Sequence, residues 1–196
     1  MISNKAEVGN REQNKVFVMV MTALTAAVFC VVGPLSVPIG PVPISLMTLV
    51  LYLAIYAVGV QKAVVACVLY LLLGLAGLPV FTGFQGGIGK LAGPTGGYLI
   101  GYIPMIIIGG MGIFIMQKKK TSETGVVITR VIEAFGLILA TAVLYVLGTA
   151  WFVISTGTPV GASLALCVIP FLPGDAAKIV IAVIAGPGLR RLIHLK

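Results

Sequence analysis

The sequence predicts an all-α membrane protein built as a single bundle of six transmembrane helices, and three observations carry that prediction. Of its 196 residues, 59% are hydrophobic and only 9% are charged, whereas a soluble domain covers its surface with about a quarter charged residues. Apolar segments close to the ~20 residues needed to cross a bilayer recur along the whole chain. When six crossings are drawn, eleven of the thirteen basic residues fall on one side of the membrane, which is the pattern of a cytoplasmic face.

Each element follows from charge, proline and glycine punctuation. Residues 1–15, "MISNKAEVGNREQNK", mix both charge signs without a short apolar core and cleavage site, so they read as a cytoplasmic lead-in and not a secretory signal. Span one runs from about 16 to 33 and stops at Gly33-Pro34; the proline-rich "LSVPIGPVP" after it should be extended. Span two covers about 43–60, and Gln61-Lys62 separates it from span three, about 63–79. The Gly-rich stretch "LPVFTGFQGGIGKLAGPTGGYLIG" follows as an outer loop, and span four, about 97–116, ends at "QKKKTSE". Span five, about 126–154, is longer than a crossing needs, so it should tilt or project. An apolar piece at 162–169 is too short to cross, and span six starts near Pro173 and ends at "RRLIHLK". The chain 1–196 therefore reads as one integral membrane domain, with the bundle at 16–193 and both termini cytoplasmic.

Composition also excludes several functions. A pI near 9.6 invites a nucleic-acid reading, but no aromatics interleave with the basic residues, and "QKKK" at 117–120 reads as a stop-transfer signal and inner-leaflet lipid anchor. Cys30, Cys67 and Cys167 all lie in apolar runs with no C-x-x-C pair, which points to core packing and not to metal or redox chemistry. An enzyme needs paired carboxylates, a nucleophile with its base, or metal ligands at one depth; one outer Asp and one terminal His, His194, do not provide them. No cofactor is expected. A channel would show rings of like residues, and none is evident.

Two places carry candidate chemistry. Asp175 and Lys178 in "PFLPGDAAK" are the only ion pair expected toward the outside. Pro173 and Gly174 should start a helix whose first turn holds Asp175, favoured there by the helix dipole, with Lys178 on the same face at i+3. Ionisable groups within a span face protein or a water-filled cavity, because lipid excludes them. The Gly-rich loop is the second place: irregular backbone at membrane depth must pack in protein or line a cavity. Its glycines should allow close ligand approach with bare N–H groups, while Lys90 adds charge and Gln85 can donate and accept. Phe81, Phe84 and Tyr98 argue that the loop is packed. It is no nucleotide-binding loop: G-x-x-x-x-G-K-[ST] would need Gly at Phe84 and Ser or Thr at Leu91, and Pro94 interrupts the helix that "GIGKLA" would have to open.

"GLPVFTGFQGGIGKLAGPTGGYLIGY" together with the later "PFLPGDAAK" resembles BioY, the biotin-specific substrate-binding (S) component of energy-coupling-factor (ECF) transporters. Length, span count and motif order agree along nearly the whole chain. The resemblance implies a prokaryotic, multi-pass cell-membrane protein that captures biotin at the outer side. Carried over by position, it implies ligand contacts at Gln85 in the "GFQGG" segment with Gly86 and Gly87, at Tyr98, and at Asp175 and Lys178, with Lys90 expected as a further contact in place of an Arg that some relatives carry. Some relatives carry Arg where this chain has Leu99, and Met47 stands where the family often has Gln.

Biotin itself offers a ureido ring with two N–H donors and a carbonyl, a thioether ring and a carboxylate tail. Asp175 is expected to accept the ureido N–H pair, and Lys178 either to bond the ureido oxygen or to hold Asp175. Lys90 or backbone N–H groups would take the carboxylate, and Tyr98 would cover the ring. Another small vitamin or precursor remains the alternative ligand. The resemblance further implies an ECF transmembrane subunit and two ATPase subunits as partners. Ala23 and Ala27 in span one, with Ala26 and Thr22 nearby, form a small-residue face suited to close helix docking. Intramolecular packing is the competing use of that face. Trp151 and Tyr145 read as either membrane-interface aromatics or pocket walls.

Overall fold

A computed structural model describes residues 2–37, 42–118 and 125–194. Residues 38–41, within the proline-rich stretch, and 119–124, which include Lys119 and Lys120 of "QKKK", lie outside the described residues. Among the described residues eight α-helices follow one another: α1 (Ile2–Val32), α2 (Met47–Val58), α3 (Val60–Leu75), α4 (Ile88–Ala92), α5 (Gly96–Lys118), α6 (Val126–Thr156), α7 (Val160–Cys167) and α8 (Leu172–His194). A two-stranded antiparallel ribbon, β1 (Ser36–Val37) and β2 (Ile44–Ser45), pairs Ser36 with Ser45 between α1 and α2. The two ends of the proline-rich stretch are thus extended, while Pro38 and Pro41 lie outside the described residues.

Among the described residues, four stretches are long and apolar enough to cross a bilayer: Lys15–Val32, Gly96–Phe114, Val127–Thr156 and Val160–Ile193. The spans expected at 43–60 and 63–79 come out shorter, as helices of 12 and 16 residues. Two local features shorten the first, and α3 ends at Leu75, just before Gly77 at a φ of +99°. The ribbon takes up the chain as far as Ser45, so α2 begins only at Met47. At the other end the break is Gly59, not Gln61-Lys62; its φ of +82° is open to glycine, and α3 starts at the next residue. Gln61 and Lys62 lie in the first turn of α3.

The long helices pack mainly as pairs: α1 with α3, α2 with α8, and α5 with α6. Glycine sets the closeness of the last pair. A Cβ on Gly112 would stand 3.1 Å from the Gly136 Cα, and the reverse holds equally. Further along the seam, a Cβ on Gly97 would fall on Trp151. Small residues let helix backbones approach where lipid supplies no hydrophobic drive for association.

Within the Gly-rich loop, Phe81 and Gln85 exchange backbone hydrogen bonds of 2.8 and 3.2 Å around a tight turn. The turn points Phe81, fully buried, onto Gly74 of α3, where a Cβ would overlap its ring. Phe81 meets Tyr70 edge-on at 5.5 Å between ring centres, and Tyr70 meets Phe29 of α1 at 6.3 Å. The loop is therefore packed, as expected. Phe84, in contrast, is 67% exposed at a φ of +57° and takes no part in the packing.

Candidate ligand-binding site

Where the α2–α8 pair meets the α5–α6 pair, the helices enclose about 580 Å³ of space, part of it open to solvent. Ribbon residues Val42 and Pro43 edge this pocket, and Thr82 and Thr95 reach it from the two ends of the Gly-rich loop. Tyr98, Leu99 and Tyr102 of α5 and Leu144 and Tyr145 of α6 form one wall; Thr48, Asp175 and Lys178 face them from α2 and α8. Cys167 and Phe171 close the side beneath α7. The Gly-rich loop and the acidic helix start thus share one end of the bundle. Lys62, Arg130, Arg190 and Arg191 belong to helix ends at the other, so the charge asymmetry read from sequence separates the two ends.

The polar centre is built by the start of α8. Pro173 is tolerated in the first turn, where its missing N–H costs nothing, and Asp175 falls in that turn as expected. Asp175 and Lys178 pair at 2.8 Å with side chains only 8% and 9% exposed. Burying such a pair is costly unless the remaining hydrogen-bonding capacity is filled. For the ammonium it is filled: Lys178 Nζ donates to Asp175 Oδ1, to the Ser45 carbonyl at 2.7 Å and to Thr48 Oγ1 at 3.1 Å, using all three of its hydrogens. Asp175 Oδ1 also accepts from Thr48 Oγ1 at 3.4 Å, and Oδ2 accepts from the Tyr145 hydroxyl at 2.5 Å. A carboxylate has about four acceptor sites. The pocket therefore offers a ligand an acceptor with spare capacity beside a cation that has none.

Tyr98 contributes its ring. Its hydroxyl pairs with Thr149 Oγ1 at 3.0 Å and the Cys167 carbonyl at 3.4 Å, and Gly148 leaves the slot that the ring fills. Leu99 also lines the pocket, whereas Met47 is buried in the core away from it. Lys90, Gln85 and Gly86 line a different space, an open cleft shared with Gly89, Gly93 and Pro94, and Thr95 borders both cavities. Gly87 lines neither. The bare N–H groups expected of this loop are mostly committed: Gly83 donates to Pro34 O, Gln85 to Phe81 O and Gly87 to Gly74 O. Gly86 packs against Leu78, whose carbonyl a Cβ would overlap. These glycines let the loop fold onto itself.

Of the undecided aromatics, Tyr145 is a pocket wall, while Trp151 donates from Nε1 to the Gly93 carbonyl at 2.9 Å and pins the loop to α6. Thr48, Tyr102 and Phe171 went unsignalled in sequence, because a lone threonine or aromatic in an apolar run is ordinary core. On α1, Ala23 and Ala27 are exposed, so intramolecular packing does not occupy them. Thr22 and Ala26, expected on the same face, instead turn inward and are buried. Among the described residues no group of three His, Cys, Asp or Glu is placed to hold a metal.

Fold and cavity together define the class: a polytopic helical membrane protein with a small-molecule pocket at one end of its bundle. Within that class the chain belongs to the BioY family, whose model matches residues 5–195. It is 33% identical over 183 residues to biotin transporter BioY2 of Lactococcus lactis subsp. cremoris, an alignment covering 93% of this chain and 94% of the relative. To biotin transporter BioY of Thermotoga maritima it is 33% identical over 174 residues, covering 89% and 96%. Its fold is similar to the 2.1 Å crystal structure of the S-component for biotin from an ECF-type ABC transporter, with a TM-score of 0.76, 29% identity and 92% of each chain covered. These relatives are transport proteins, and the chain is not an enzyme.

Proposed function

We propose that this chain is the biotin-binding S component of an ECF-type uptake transporter in a prokaryotic cell membrane, taking biotin at the outer face and releasing it inward. An ECF transmembrane subunit and two ATPase subunits would drive that release, since no segment of this chain offers a nucleotide cradle. The observation that carries the reading is the Asp175–Lys178–Thr48–Tyr145 network on the wall of a tyrosine-lined pocket. Three of the carboxylate's about four acceptor sites are taken, so one ureido N–H meets a free site on Asp175, and the second requires the Thr48 or Tyr145 hydroxyl to turn away. In this reading Lys178 holds Asp175, and the rings of Tyr98, Tyr102 and Phe171 cover the apolar parts of the ligand.

The test is titration of purified protein with biotin, desthiobiotin and lipoate. Desthiobiotin keeps the ureido group without the sulfur, and lipoate does the reverse. Sites that hydrogen-bond their substrate reject analogues lacking those groups by about 10⁴-fold, so desthiobiotin should bind well and lipoate poorly. Asp175→Asn should weaken biotin by at least about 100-fold, the loss expected when a charged partner is removed from a buried hydrogen bond. An affinity within twofold of wild type would end the ureido assignment.

A further inference from the structure

The cleft lined by Gln85, Lys90 and Thr95 is absent from the binding arrangement above, and it holds a cation in an unusual position. The sequence contains five acids, Glu7, Glu12, Glu123, Glu133 and Asp175. Asp175 is taken by Lys178 and Glu133 by Arg130 at 3.1 Å. Glu7 and Glu12 belong to the start of α1, at the end of the bundle away from the pocket, and Glu123 lies outside the described residues. Among the described residues Lys90 is therefore left without an acidic partner, and its ammonium makes no hydrogen bond. It is only half exposed, and burial lowers its pKa from the ordinary lysine value. An ammonium that is short of both water and a counter-charge attracts anions more strongly than a fully solvated one.

The cleft is also built firmly. Trp151 holds the Gly93 carbonyl, and Gly96, with no room for a Cβ beside the Leu91 carbonyl, fixes the turn into α5. Thr95 stands between this cleft and the tyrosine-lined pocket and borders both. Inside the tyrosine-lined pocket no cation is free: Lys178 is saturated and Asp175 repels negative charge. A ligand with one anionic end and one hydrogen-bond-donating end meets a favourable partner for each, but in different cavities.

We propose that the Lys90 cleft is a capture site for organic carboxylates, from which the ligand's neutral end passes Thr95 into the tyrosine-lined pocket. The proposal deepens the biotin reading and rests on it. Lys90 acts on the rate of arrival, as charges at the mouth of a site generally do.

Stopped-flow binding of biotin and of its uncharged methyl ester, by the full-length protein in nanodiscs of zwitterionic lipid, tests this across about 20 to 500 mM salt, a range over which the screening length shrinks severalfold. Lys90→Gln should slow biotin association about fivefold at low salt, within the span that electrostatic steering covers. It should flatten the salt dependence and leave dissociation unchanged. Lys90→Arg should preserve the wild-type rate, Lys90→Glu should slow association further, and the ester should be indifferent to all three. A change confined to dissociation would make Lys90 a contact of the bound state and overturn the capture role. Unchanged rates would make it an ordinary surface charge and overturn it equally. Failure of the wild-type protein to bind biotin at all would instead sink the underlying functional reading, and this proposal with it.

Discussion

Lys178 donates every ammonium hydrogen to a protein oxygen, so removing it does more than delete a charge. Lys178→Met would strand Asp175 as a buried carboxylate, a change that typically costs about 3–5 kcal/mol. Thermal stability in detergent should fall sharply and biotin binding should be lost. Replacing both partners, as Asp175→Leu with Lys178→Met, should recover most of the stability while binding stays absent. Thermal denaturation alongside titration checks both halves, and a stable, biotin-binding Lys178→Met protein would refute the arrangement. The pair itself was legible in sequence because two opposite charges in an apolar run demand an explanation. Thr48 and Tyr145 were not. Each reaches Asp175 across a gap of 127 or 30 residues, and only the folded bundle makes those contacts.

At the level of helices and loops, glycine carries much of the specification. Gly136 and Gly112 let α5 and α6 touch backbone to backbone, and that pair holds five of the pocket's aromatic and aliphatic walls, Tyr98, Leu99, Tyr102, Leu144 and Tyr145. Gly136→Leu should force the helices apart, reduce stability by about 1–3 kcal/mol, as overpacking does, and loosen ligand binding together with it. Gly125→Ala, where an added Cβ meets nothing within 4 Å, is the control and should leave both unchanged. Thermal shift with and without biotin separates the two variants. The Gly-rich loop was recognisable as packed and near the pocket, but its inner workings were not. Composition suggests N–H groups bared for a ligand; the backbone instead directs several of them to its own carbonyls, a choice set by turn geometry. Helix limits erred where a single residue decides them, as at Gly59.

For the molecule as a whole, the long crossings and the sidedness of charge were plain in the sequence, because hydrophobic length and basic clustering are both local signals. Pairing of helices was not, since it depends on shape complementarity between distant segments. The outward face of α1 is the surface on which the proposed assembly can be tested. Ala23 and Ala27 are exposed among Leu24, Val28 and Val31, giving a shallow strip along which another helix can approach closely. Ala23→Trp with Ala27→Trp should abolish copurification with the transmembrane partner while biotin affinity stays at the wild-type value, because neither side chain reaches the pocket. Retained copurification would remove this strip as the docking face.

The unequal helix lengths have a consequence for the surrounding lipid. At 1.5 Å per residue, the 16 residues of α3 make a wall of about 24 Å, and the 31 residues of α6 one of about 46 Å. A hydrocarbon layer of about 30 Å matches neither, so acyl chains are squeezed along one flank and stretched or tilted along the other. The elastic response of the two leaflets then exerts a couple on the whole body. Its resting inclination is thereby a joint property of protein and bilayer thickness, adjustable by lipid composition with no change in a single amino acid.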